Sequence, residues 1–196
     1  LDSVNGTIRD LAHQMLVWRS AKSIAPKIRM VAEKSDRPAA QIQALAALDG
    51  LGQLLPTDVA KALDSDIPEV VRFAVQLAER LLKNDAELQS RFAALAHADS
   101  VRVRRQVALS IGANRRPGQA VPGAAAILST LISAAEPDAY VRSAALNSVS
   151  ADNINSVLNA YLGRPAAEQT NNIRRNLLLL AVRVGDSAAV ERALQV

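Results

Sequence analysis

The 196-residue sequence has no cysteine. Disulfides, thiol nucleophiles, cysteine-ligated zinc, iron–sulfur clusters and covalent haem attachment are therefore excluded within it. Aromatic residues are scarce, at 3%, with one tryptophan, two tyrosines and two phenylalanines. That leaves little material for base-stacking platforms. No apolar run approaches the roughly 18 residues a membrane-spanning helix needs, so no membrane insertion is expected. The N-terminus, Leu1-Asp2-Ser3, carries neither an initiator methionine nor a signal peptide. The chain is therefore expected to be a fragment of a larger multidomain protein.

Alanine (37) and leucine (25) make up for what is missing. Both are strong helix formers, whereas strands favour β-branched and aromatic side chains. That argues against an all-β domain. The charge is uneven. Residues 1–98 hold 12 basic and 12 acidic side chains, and residues 99–196 hold 11 and 7, the whole of the net +4. Arg102, Arg104, Arg105, Arg115 and Arg116 meet no acid between Asp99 and Glu136.

A β-branched residue followed by arginine recurs along the chain: Ile8-Arg9, Val71-Arg72, Val103-Arg104, Val141-Arg142 and Ile173-Arg174. Ile42-Gln43 fills the one gap. Positions 9, 43, 72, 104, 142 and 174 give intervals of 34, 29, 32, 38 and 32, with a mean of 33. A fixed period of this size marks a helical array. Each mark opens an apolar stripe at helical spacing: Leu11, Ala12, Met15 and Leu16 after the first, Ala74, Val75, Ala78 and Leu82 after the third, Ala144 and Ala145 after the fifth, and Leu177, Leu180 and Val184 after the last. Helix-start chemistry precedes the marks at Asp36-Arg37-Pro38, Asp66-Ile67-Pro68, Asp99-Ser100 and Glu136-Pro137-Asp138. Gly50, Gly112 and Gly185 are expected to be left-handed helix stops. A second, shorter helix falls between marks, over 22–34, 57–64, 86–97, 121–135, 153–162 and 187–195. The predicted fold is all-α, a single solenoid domain over 1–196 with about 12 helices in antiparallel pairs, each pair burying its neighbour's stripe. Small side chains such as Ala74 and Ala144 belong at the close-packed seams.

These segments resemble HEAT repeats, with Glu136-Pro137-Asp138-Ala139-Tyr140-Val141-Arg142-Ser143-Ala144-Ala145-Leu146 as the nearest copy of the turn and second helix. The implied fold is a right-handed α–α superhelix, a HEAT/armadillo-like solenoid. The segments Gln41–Gly52, Val70–Leu82 and Val103–Gly112, in this order, are similar to the HEAT region of large bacterial membrane-bound dehydrogenase-type proteins. In that family a β-propeller precedes the array and a c-type cytochrome domain follows it. The resemblance implies a non-catalytic scaffold between an electron-donating domain and a haem acceptor, and a periplasmic or cell-envelope location. No cofactor is expected in this segment.

The arginines allow two readings. Arg9, Arg72, Arg104, Arg142 and Arg174 form a ladder that either braces the repeats, by reaching turn carbonyls or neighbouring aspartates, or lines a partner-binding surface. Exposed ion pairs contribute only about 0–1 kcal/mol, which favours bracing as the recurrent role. Arg102, Arg105, Arg115, Arg116 and Arg175 are less constrained by the repeat and are the candidate partner surface. The expected partner is a protein or a neighbouring domain. Nucleic acid, gripped by the basic C-terminal half, is the alternative. His13 and His97 fall in different repeats with no ligand spacing, so no metal site is expected. Gly50-Leu51-Gly52 lacks the further residues of a phosphate loop. No nucleophile motif occurs, and no catalytic residue is assigned. Trp18 is expected to pack over the first repeat or against a preceding domain. The Leu177–Leu180 run suggests a buried helix or an apolar face that has lost its neighbour. Solenoid ends need polar caps. The first helix here lacks a predecessor and the last lacks a successor, so end-to-end dimerisation is an expectation.

Overall fold

The computed structural model describes residues 1–113, 121–134 and 138–194. These form α-helices joined by turns and three short 3₁₀ segments, with no strand among the described residues. The chain divides into two compact units, Leu1–Ala78 and Glu79–Val196.

The first unit holds α1 (Gly6–Trp18), α2 (Ala25–Lys34), α3 (Pro38–Gly50), α4 (Pro56–Leu63) and α5 (Pro68–Ala78). Three of these begin on proline, whose fixed φ and missing N–H suit the first helical position. Even helices pack on the odd helix that comes next, α2 on α3 and α4 on α5. Odd helices pack side by side, α1 on α3 and α3 on α5. The central α3 is therefore enclosed, and Ala40, Ala44, Leu45, Ala47 and Leu48 are buried along it. Its small residues permit close approach. A Cβ built on Gly50 would lie 3.0 Å from a methyl of Val17 on α1. Ala25, Ile28, Ala44, Ala47, Leu48 and Leu51 form a continuous core.

The second unit holds α6 (Ala86–Leu95), α7 (Val101–Ala113), α8 (Ala124–Ser133), α9 (Ala139–Asn147), α10 (Ile154–Leu162), α11 (Asn171–Val184) and α12 (Ser187–Leu194). The packing rule is the same. Even helices α6, α8, α10 and α12 touch in series, α7 lies on α9, and α6, α8 and α10 each lie on the odd helix that comes next. Phe92, Leu128, Ile132, Ile154, Leu158, Tyr161 and Leu177 are buried between them. Tyr161 keeps its hydroxyl satisfied by donating to the Thr170 carbonyl at 3.1 Å.

All six marks fall in odd helices, near their starts, and the intervening helices lie close to their expected spans. Ala74 and Ala144 are buried at 0% and 6% exposure, as the seam requires. Several details differ. Gly50 ends α3 in helical geometry, and the left-handed residue is Gly52 at φ +62°. There the Gly52 and Gln53 N–H groups cap the carbonyls of Asp49 and Leu48. Gly112 is helical within α7, where it makes room for Ser148, just past the end of α9. Gly185, at φ +78°, is a left-handed stop as expected. Asp138 caps α9 by accepting from the N–H groups of Tyr140 and Val141. Glu136 and Pro137 lie outside the described residues. In contrast, Asp36 does not cap α3. Pro38 sets Arg37 as the flanking residue, one place too late for Asp36. Instead Ser35 Oγ accepts from the Arg37 N–H, and Ser65 Oγ accepts from the Ile67 N–H before α5.

The stripe expected of α1 is only half correct. Ala12 and Leu16 are half-buried, but Leu11 and Met15 are 54% and 40% exposed. Trp18 does not pack over the first repeat and is 75% exposed. Of the leucine run, Leu177 is buried while Leu179 is 56% exposed, so α11 combines a core face with an open one.

Candidate interaction surface

The ladder arginines are half-buried towards the starts of the odd helices. Arg9 donates to the carbonyls of Ser3 (2.7 Å) and Val4 (3.2 Å). Arg104 repeats the geometry, donating to Ala98 (2.5 Å) and Asp99 (3.0 Å). In both, the guanidinium folds back over its own preceding turn, onto carbonyls five and six positions earlier. Arg142 donates through Nε to the Ile132 carbonyl in the last turn of α8, at 3.2 Å. Arg174 works through a relay. It donates to Gln169 Oε1 at 2.9 Å, while Gln169 Nε2 donates to the carbonyls of Leu162 and Arg164. Carbonyls at helix ends and turns have no helical partner, and a charged donor satisfies them better than a neutral one. Arg72 is half-buried and makes no hydrogen bond or ion pair with a described residue.

In the second repeat the task moves. Gln41 Nε2 donates to the Ser35 carbonyl at 2.7 Å, again six positions back. Gln43, at the mark itself, pairs with His13 Nδ1 of α1 at 2.8 Å. His13 is thus a structural link between neighbouring odd helices, and His97 is exposed.

The position after each mark differs between the units. Arg105 and Arg175 are both exposed, as is Arg102 earlier on α7. All three belong to the second unit. The equivalents of Arg105 and Arg175 in the first unit are Asp10, Ala44 and Phe73. Arg105 lies with its guanidinium 6.0 Å from the ring centroid of Tyr140, itself 71% exposed. Such a contact contributes about 0.5–1 kcal/mol at an exposed site, enough to orient the guanidinium. Arg115 and Arg116 lie outside the described residues.

A cleft of the first unit between α2, α3, α4 and α5 offers little chemistry. It encloses about 310 Å³ and is lined by Glu33, Gln41, Asp58, Lys61 and Ser65. Its charges are committed to each other or to the scaffold. Lys61 Nζ pairs with Glu33 at 2.7 Å, which raises the lysine above its ordinary pKa. Asp58 takes Arg29 Nε on both carboxylate oxygens, at 3.0 and 2.9 Å, and the Leu55 N–H at 2.9 Å. Arg29 also donates to the Gln53 carbonyl. This pair was not legible in the sequence, because its members stand on different helices, a full repeat apart. Among the described residues no group of three or more histidines or carboxylates is gathered as for a metal ion. No described helix is long and apolar enough to cross a membrane.

No family model matches this chain, and no curated protein and no solved structure matches it either.

Proposed function

We propose that this chain is a non-catalytic HEAT-type module, a right-handed helical-repeat scaffold whose odd helices dock an acidic protein partner. The division of labour between adjacent arginines carries this reading. Arg9, Arg104, Arg142 and Arg174 are folded onto neighbouring turns and helix ends, whereas Arg105 and Arg175 stand in solvent. One set braces and the other is available. Against catalysis stand the mutually paired charges of the first-unit cleft. On the resemblance to membrane-bound dehydrogenase-type proteins, the module spaces an electron-donating domain from a haem domain, in the periplasm or cell envelope.

The test is fluorescence anisotropy with a labelled glutamate-rich helical peptide. Binding is expected, and Arg105→Glu with Arg175→Glu should weaken it about tenfold or more, since like charges now face each other. Unchanged affinity removes the arginine surface. Arg105 over Tyr140 also suits a nucleobase, which favours nucleic acid as the second reading. That reading requires a short duplex or single strand to bind with steep salt dependence. No retardation at low salt ends it.

A further inference from the structure

Two neighbouring helices of the second unit, α7 and α9, carry charge of one sign. α7 holds Arg102, Arg104 and Arg105, α9 holds Arg142, and neither helix contains an aspartate or glutamate. Arg104 and Arg142 are committed to carbonyls. Arg105 is exposed and makes no hydrogen bond or ion pair with a described residue. Of the acids beside these helices, Asp138 caps α9 and Glu79 accepts from the Ser110 hydroxyl at 2.7 Å, while Asp99 precedes α7. The face is therefore built to meet negative charge.

It is also apolar. The large apolar side chains exposed on the two helices are Val101, Leu109 and Tyr140, at 38%, 42% and 71%. They stay exposed although α7 packs on α6, α8 and α9, and α9 packs on α7 and α8. In the first unit the repeat position of Leu109, five after the mark, belongs to Leu48 and Leu77, and both are buried. Val101, Arg105 and Leu109 follow one another at intervals of four and so form one ridge on α7. At a rise of about 1.5 Å per residue, the outer two stand about 12 Å apart, with the arginine midway.

Arg105 is the polar centre of this ridge. Its guanidinium lies over the Tyr140 ring, 6.0 Å from the centroid. A guanidinium resting on a ring keeps N–H groups free for a carboxylate, which it can take in bidentate fashion. Arginine and tyrosine are also the side chains enriched among those that carry binding energy at protein interfaces. A phosphate alone would satisfy Arg105 but leave Val101 and Leu109 in water.

We propose, building on the docking reading above, that the partner at this face is an amphipathic helix with one carboxylate between two apolar side chains, in the order apolar-x-x-x-Glu-x-x-x-apolar. Its glutamate pairs with Arg105, and its apolar side chains cover Val101 and Leu109 one turn to either side. An extended segment would bring backbone N–H and C=O groups without partners against those apolar side chains, whereas a helix satisfies its own. The apolar contacts set the register and the ion pair selects the charge.

The test is fluorescence anisotropy of the whole chain with two labelled helical peptides of identical composition. One follows the proposed order, and the other has its glutamates and leucines moved to opposite faces. The ordered peptide should bind at least tenfold more tightly. Leu109→Ala, at an exposed position and checked for fold by circular dichroism, should weaken the ordered peptide about tenfold and leave the rearranged one unchanged. A general structural loss would not produce that split, and an ordered peptide indifferent to Leu109→Ala overturns the proposal. Equal affinity for the two peptides, with Arg105→Glu weakening both, also overturns it but keeps the docking reading. Binding of neither peptide overturns both. Displacement of the ordered peptide by a short single-stranded DNA at matching concentration overturns the proposal in favour of a nucleic-acid surface.

Discussion

Gly112→Ala is the sharpest test of how the second unit packs. Gly112 sits inside α7, where alanine is normally the better helix former by about 1 kcal/mol. On propensity alone the substitution stabilises. The tertiary structure reverses the sign. A Cβ at Gly112 would meet Ser148, just past the end of α9, lying 3.0 Å from its Cβ and 3.3 Å from its Cα, with the hydroxyl oxygen nearer still. Those carbon contacts are tighter than ordinary van der Waals packing, and one is to backbone. Rotating the Ser148 hydroxyl away does not relieve them. Rotation also forfeits its donation to the Ala108 and Ala144 carbonyls, each at 2.8 Å. Ser148 is 1% exposed, so water cannot take over that donation. Overpacking of about 1–3 kcal/mol and a lost buried hydrogen bond of about 1–3 kcal/mol, less the helix gain of about 1 kcal/mol, leave a net destabilisation of about 1–5 kcal/mol. Urea unfolding followed by circular dichroism reads this directly. The melting temperature should fall by about 2–4 °C per kcal/mol. Adding Ser148→Ala removes the hydroxyl clash and should recover part of the loss. A Gly112→Ala protein more stable than the parent would mean that α7 and α9 do not approach here.

Three further outcomes are expected. Asp58→Ala strips Arg29 of its carboxylate and Leu55 of its N–H acceptor, and should cost about 3 kcal/mol in urea unfolding, because one half of a largely buried pair is left alone; Asp58→Asn keeps an oxygen to accept from Leu55 but no charge, so it should retain most of that loss, and an Asn variant as stable as the parent would refute the charge argument. Ser20 holds φ +48° just past the end of α1, so Ser20→Gly should raise stability by up to about 1 kcal/mol; a lower urea midpoint would contradict the strained geometry. The Asp2 carboxyl lies below its ordinary pKa, chiefly because the Ser35 hydroxyl donates to it at 2.6 Å and secondarily because of Arg37. A lowered folded value means that its contribution is present above the ordinary value and is lost as pH falls through the folded one. NMR titration of the Asp2 carboxyl carbon should show this, with Ser35→Ala moving the midpoint up further than Arg37→Gln.

Much of the local structure could be read from residue order. Helix starts and stops depend on groups within a few positions. Pro38, Pro56, Pro68, Asp138 and Gly185 act over that range, and the six marks fall in the six odd helices. Glycine shows where that range ends. Gly50, Gly52 and Gly112 are alike as letters, but Gly50 and Gly112 leave room for a side chain of a neighbouring element, and Gly52 turns left-handed. The ladder spacing was visible, whereas the carbonyls that Arg9 and Arg104 reach were not.

Residue order alone determined that the chain is helical, that a motif recurs at even intervals along it, and which side chains could brace it. Tertiary structure decided which apolar stripe of α1 turns inward, since Ala12 with Leu16 and Leu11 with Met15 satisfy helical periodicity equally well. It also decided that Arg29 meets Asp58 and that Ser148 closes on Gly112. Periodicity places side chains on a face, but burial and pairing depend on what packs against that face, and the packing partner is set by chain segments a repeat or more away.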